Sequence, residues 1–169
     1  MFNPIVTHAK AEGVTRAFEN CPTIFTKDER PGGHNIAYSP KIWRRIFEEW
    51  GDGVGVNYDP SHLVWQMIDQ SRFIQEFGSP MVHVHAKDVM IDCDRPYENG
   101  VLPTGIGWQV PQMPGLGDVA WPRFFADLCR AGYDGPMIIE HEYRNFEGSD
   151  DKLIRGFPLA RDVLRPCIK

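Results

Sequence analysis

Apolar positions in this chain fall into two alternating patterns. Between Ser39-Pro40 and Gly51, the residues Ile42, Trp43, Ile46, Phe47 and Trp50 recur every three or four positions, which predicts an amphipathic helix with a proline start and a glycine stop. Helices are expected on the same grounds from Asn3-Pro4 to Gly13, with Ile5, Val6, Ala9 and Ala11 as the apolar face. One or two more are expected over 61–77, stopped by Gly78. Another opens near Pro122 with Phe124, Phe125, Leu128 and Cys129 inward, and a last runs over about 150–164 with a kink at Pro158. Between the helices lie short apolar runs without helical period, at 14–18, 54–58, 81–84 and 136–139. They read as strands buried on both faces. Two polar loops rich in Pro and Gly, 21–38 and 88–119, follow the first and third runs. The order α-β-α-β-α-β-α-β-α implies parallel strands joined by right-handed crossovers.

Each strand-like run leads into a residue able to bind a divalent cation: Glu19, Asp59, His85 and Glu140. Parallel strands bring these C-terminal ends to one edge, where α/β folds carry their active sites. Each residue also has a plainer reading. Glu19 can be a solvated strand-end carboxylate, and Asp59, before Pro60, can cap the next helix. Strand alternation puts His83 and His85 on one side. Glu140 ends a strictly apolar run, where a lone buried carboxylate would be costly.

The 169 residues suggest one domain spanning 1–169. An eight-stranded barrel needs about 250 residues. Four βα units are therefore expected to form half of a barrel or a small open sheet, whose bare edges invite pairing with a second chain. The net charge of −5 offers no attraction to nucleic acid or anionic membranes. The four cysteines show no Cys-x-x-Cys spacing, and no run approaches the ~20 apolar residues of a membrane helix. The N-terminus lacks a signal-peptide plan, so a reduced, cytoplasmic setting is expected.

Glu19-Asn20, Asp59-Pro-Ser-His62, His85-Ala-Lys-Asp88, Pro114-Gly-Leu-Gly-Asp118 and Ile139-Glu-His-Glu142 together resemble the sugar phosphate isomerase/epimerase proteins. These are xylose isomerase-like (βα)8 TIM barrels, a superfamily that includes ketose 3-epimerases, inosose dehydratases and type IV apurinic endonucleases. The resemblance spans nearly the whole chain and corresponds to the C-terminal half of that barrel. It implies that Glu19, Asp59, His85 and Glu140 hold a divalent metal ion (Mn, Mg, Co or Zn), with Glu19 and Glu140 also the proton-transfer pair. It further implies that His62, Lys87 and Arg144 contact a small sugar substrate. Isomerisation or epimerisation would pass through an enediolate once the ion polarises the carbonyl. Trp108, Phe25 and Trp65 are candidate apolar walls, core packing being the plainer role for Trp65, and the two long loops are candidate lids. A homodimer would cover the open edges. The alternatives are a catalytically silent metal-binding or assembly half-barrel, and an endonuclease-like hydrolase, which the acidic balance disfavours.

Overall fold

The computed structural model describes residues 2–23, 34–101 and 107–168. Its main sheet has four parallel strands, β1 (Arg16–Glu19), β2 (Val54–Tyr58), β3 (Met81–Ala86) and β6 (Met137–Ile139), in the order β1-β2-β3-β6. The helices α1 (Asn3–Ala11), α2 (Pro40–Trp50), α3 (Pro60–Trp65), α4 (Gln70–Phe77), α6 (Trp121–Arg130) and α7 (Asp150–Leu164) follow the βα alternation. The architecture is thus an α/β arrangement of consecutive parallel βα units, as in half of a (βα)8 barrel. Among the described residues no helix is long and apolar enough to cross a membrane.

One face of the sheet packs against helices. Val54, Val56, Tyr58, Val84 and Ala86 are buried there with Trp43, Phe73, Ile74 and Phe124 from α2, α4 and α6. The Tyr58 ring stacks between Phe73 at 5.3 Å and Phe124 at 5.7 Å. This apolar layer fixes the strand register, because a one-residue slip would turn every strand side chain to the opposite face. The register in turn fixes the other face: Glu19 pairs with Asn57, Asn57 with His83, and His85 with Ile138.

Several expectations need correction. The first strand begins at Arg16, not Val14, because Gly13 turns the chain at φ 69° and the Val14 N–H closes α1 on the Ala9 carbonyl at 2.9 Å. Val14 is left 56% exposed. In α1 only Val6 is buried, while Ile5, Ala9 and Ala11 are not. In α6 the inward positions are Trp121, Phe124, Phe125, Asp127 and Leu128, and Cys129 is exposed. Of the two alternatives left open over 61–77, the chain takes two helices, breaking at Met67 with φ 57°, and the Asp69 side chain caps α4 on Arg72 N–H at 3.0 Å. Residues 88–119 are not a simple loop. They hold an antiparallel pair, β4 (Asp88–Ile91) and β5 (Gln109–Gln112), with α5 (Asp94–Asn99) between. Their short length and Pro111 hid the pair.

Candidate metal centre

The four strand ends converge. One ligand atom from each of Glu19, Asp59, His85 and Glu140 lies within 4.8 Å of the other three. Glu140 follows β6 directly, and its N–H continues the ladder to the Ala86 carbonyl at 3.2 Å. Asp59 reconciles its two readings because it has two oxygens. Oδ1 caps α3 by accepting from Ser61 N–H at 2.8 Å, and Oδ2 faces the cluster. Asn20 anchors the Asp59 backbone at both ends, donating to its carbonyl at 2.8 Å and accepting from its N–H at 2.7 Å.

Three atoms in this cluster are buried without a hydrogen bond: Asp59 Oδ2, His85 Nδ1 and Glu140 Oε2. They are close to partners, His85 Nδ1 lying 2.8 Å from Glu140 Oε2 and 3.7 Å from Glu19 Oε1, yet are misaligned for bonding. Potential ligand atoms gathered within 4.8 Å of one another and left without hydrogen bonds are what a cation site offers. Lys87 offsets part of the negative charge of the three carboxylates, at 2.9 Å from Asp59 and 3.2 Å from Glu140. Three carboxylates with one imidazole are a donor set that suits Mn²⁺, Mg²⁺, Co²⁺ or Zn²⁺.

Proton affinities follow from these neighbours. Burial alone would raise the Glu19 carboxyl, but His62, His85 and Lys87 hold it far below the usual carboxylate range. Burial likewise works against ionisation of Glu140, and His85 and Lys87 overcome it. Lys87 would lose affinity for its proton on burial, whereas Asp59, Glu140 and Glu142 push it above the ordinary lysine value. Glu140 and Glu19 raise the proton affinity of His85, whose Nδ1 faces them. His83 is pushed down, first by burial and then by His85.

The remaining expected site residues lie around this core. His62 is buried, with Nε2 at 3.2 Å from Asp59 Oδ2 and 3.5 Å from Glu19 Oε1. The Trp65 indole N–H donates to His62 Nδ1 at 3.2 Å, so Nε2 carries the hydrogen and faces the carboxylates as a donor. Cys21 and His62 also group with Glu19 within 4.8 Å, but a protonated Nε2 makes that trio a poor ligand set. Lys87 is turned inward, 3.3 Å from Glu142 as well. Arg144 stands apart, exposed in a 3-10 turn after β6 (Arg144–Phe146), where it lines a cleft of about 680 Å³. The β4–β5 pair forms the opposite wall through Met90, Val110 and Gln112, and Glu142 joins the cleft to Lys87. Trp108 is buried edge-on to Trp65 at 6.1 Å, so the two rings back His62. Phe25 lies outside the described residues.

Asn20 and Asn57 were missed as positioning groups, and Trp65 was read as an apolar wall or core rather than as the hydrogen-bond donor to His62. The available signal was a lone asparagine interrupting the apolar run Val-Gly-Val-Asn-Tyr.

Residues 1–166 match the family described as xylose isomerase-like TIM barrel. The chain belongs to that family. It is 33% identical over 115 residues to the uncharacterised protein YfiH of Bacillus subtilis (strain 168), a match covering 63% of this chain and 37% of that protein. Among solved structures it resembles a xylose isomerase domain protein from Planctomyces limnophilus, with TM-score 0.66 and 18% identity over 97% of this chain and 50% of that one. It also resembles the 3-keto-D-glucoside 4-epimerase YcjR from E. coli, with TM-score 0.60 and 16% identity over 98% and 50%. The chain thus spans about half the length of these structures.

Proposed function

We propose that this xylose isomerase-like half-barrel acts as a divalent-metal-dependent isomerase or epimerase on a small sugar or sugar derivative. The carrying observation is the convergence of three carboxylates and one imidazole at the strand ends, with three of their buried atoms left without a hydrogen bond. Glu19, Asp59, His85 and Glu140 would hold the ion, which when bound polarises a sugar carbonyl and acidifies the adjacent C–H.

The chain's own groups then divide the work. Glu19 and Glu140 are held ionised, so either can take a proton from carbon, and the other can return one to the opposite face of an enediolate. Lys87 steadies the charge of Glu140 at 3.2 Å and can donate to a substrate oxygen. The His62 Nε2–H, placed by Trp65, donates to a hydroxyl beside Glu19. The cleft between the β4–β5 pair and the Arg144 turn receives the rest of the sugar, with Arg144 at its rim. Two solved structures with this fold support the class, a 3-keto-D-glucoside 4-epimerase and an L-ribulose 3-epimerase.

The test is solvent exchange. With Mn²⁺ loaded, a panel of ketoses and inososes in D2O is expected to show deuterium entering at the carbon next to the carbonyl for at least one member. A fully loaded protein that exchanges no proton across the panel would instead be a silent metal-binding module.

A second copy of this chain completes the reading. β1 and β6 are the open edges of the sheet, both parallel, so the β6 edge of one copy can continue into β1 of another. On the face that carries the ligands, Val82 and Ile138 are exposed, Ile138 by 53%. Light scattering on the eluting protein is expected to give the mass of two chains, and Ile138→Lys to shift it toward one. A wild-type monomer at tens of micromolar would rule out this pairing.

A further inference from the structure

The carboxylate of Glu19 is reached by no short side-chain contact among the described residues. Its closest charged partners there are His62 Nε2 at 3.5 Å and His85 Nδ1 at 3.7 Å, both longer than an ordinary hydrogen bond. Asp59 Oδ1, by contrast, accepts from Ser61 N–H at 2.8 Å, and Glu140 Oε2 lies 2.8 Å from His85 Nδ1. The aim of Glu19 therefore depends on the backbone that carries it. That backbone leaves the sheet at Glu19, the last residue of β1.

Asn35 takes over where the strand stops. Its Nδ2 donates to the Glu19 carbonyl at 2.8 Å and to the Cys21 carbonyl at 2.7 Å, so both hydrogens of the NH2 are spent on this one bend of chain. Its Oδ1 accepts from Ala37 N–H at 3.0 Å, and Ala37 is buried in the core just ahead of α2. Backbone carbonyls only accept and backbone N–H groups only donate, so these partners leave the amide a single orientation. Asn20 sits between the two held carbonyls and grips the Asp59 backbone.

Thr23 braces Asn35 in turn. Its Oγ1 accepts from the N–H groups of His34 at 3.0 Å and Asn35 at 2.9 Å. Thr23 has φ 51°, a left-handed conformation that a β-branched residue adopts only at a cost. Strain of this kind persists where the surroundings enforce it, and it gathers at functional sites.

We propose that Asn35 is a positioning residue for Glu19: its amide, braced by the strained Thr23, holds the chain beyond β1 so that the carboxylate meets the other three ligands. The inference rests on Glu19 being a ligand, as the proposed function has it. It adds two residues outside the ligand group on whose hydrogen bonds the completeness of that group depends.

Calorimetric titration with Zn²⁺ alone tests this clamp, together with the visible absorption of Co²⁺-loaded protein, which reports ligand number and geometry. Asn35→Asp keeps the acceptor for Ala37 but sets a carboxylate oxygen against two carbonyls, so Glu19 is expected to leave the ion. Zn²⁺ affinity should fall roughly 10-fold, the lower end of what losing a ligand-orienting group costs, and the Co²⁺ spectrum should change. Thr23→Val keeps the shape and the strain but loses the acceptor, and the same two changes are expected. Thr23→Ser, which keeps the acceptor, is expected to bind as the wild type does. Circular dichroism checks that each variant is folded, and the Thr23 pair keeps the test decisive should Asn35→Asp not fold. A role confined to folding would lower stability and leave the Co²⁺ spectrum unaltered. That result, or equal Zn²⁺ affinities for Thr23→Val and Thr23→Ser, overturns the clamp and leaves the metal site standing. If the wild type takes up no Zn²⁺, the metal site fails and the clamp falls with it.

Discussion

Glu140→Gln is expected to remove divalent-metal binding from this chain, weakening it more than about 100-fold, beyond the cost of losing an outer partner of a ligand. Glu140 Oε2 is buried, makes no hydrogen bond, and lies 2.8 Å from His85 Nδ1 and 3.2 Å from Lys87. Glutamine keeps the shape but deletes one of three negative charges, so Lys87 then neutralises half of what remains. It also offers the cluster an NH2 in one amide orientation, which repels a cation. Stability provides a direct readout, because an ion at 100 times its dissociation constant stabilises the native state by about 2.7 kcal/mol. Wild type should gain a higher Tm with Mn²⁺ over EDTA, and Glu140→Gln should gain nothing. Glu142→Gln serves as the comparison. Its carboxylate is about half exposed and reaches Lys87 but is absent from the ligand group, so its metal response should remain. Equal metal-induced shifts in wild type and Glu140→Gln would remove Glu140 from the site.

Asp88→Ala is expected to cost about 4 kcal/mol or more, in the range reserved for broken buried networks. The side chain is fully buried and accepts four hydrogen bonds. Oδ1 takes the N–H groups of Val89 and Val119, and Oδ2 takes Gly115 N–H and the Trp121 indole, each at 2.9 Å. Each donor left unsatisfied costs about 1–3 kcal/mol. Asn is a poor replacement, since its NH2 would face two donors. Gly117 packs on the same carboxylate, and a methyl there would collide with Asp88 Oδ1 and the Val89 carbonyl. Because Asp88 follows Lys87 directly and ties the 113–121 segment to β4, losing it should also loosen the wall of the cleft. Urea unfolding at constant m-value measures the first effect, and metal affinity of the folded fraction the second. An Asp88→Ala midpoint within 1 kcal/mol of wild type would contradict this account.

How much of this was readable beforehand depended on the element. Long helices with strong period, such as the one holding Trp43, Ile46 and Phe47, were legible because helical spacing is a local property. The β4–β5 pair was not. Its four-residue strands include Gln109, Pro111 and Gln112, and antiparallel pairing across a 17-residue interval leaves no local period. Cys129 looked inward by spacing, but α6 turns Asp127 toward α4, where Ser71 donates to it, and that rotation leaves Cys129 exposed. Asp59 posed a choice between cap and ligand that no sequence argument could close, and the fold uses one oxygen for each.

The sequence by itself determined the parallel βα order, the half-barrel length and the identity of the four strand-end residues, all of which follow from periodicities within a few residues. Tertiary structure alone decided that those residues face one point, that Asp59 Oδ2, His85 Nδ1 and Glu140 Oε2 stay unbonded there, and that Asn57 bridges His83 and His85. These depend on register between strands 26 and 28 residues apart, which the packed core sets and no local pattern records.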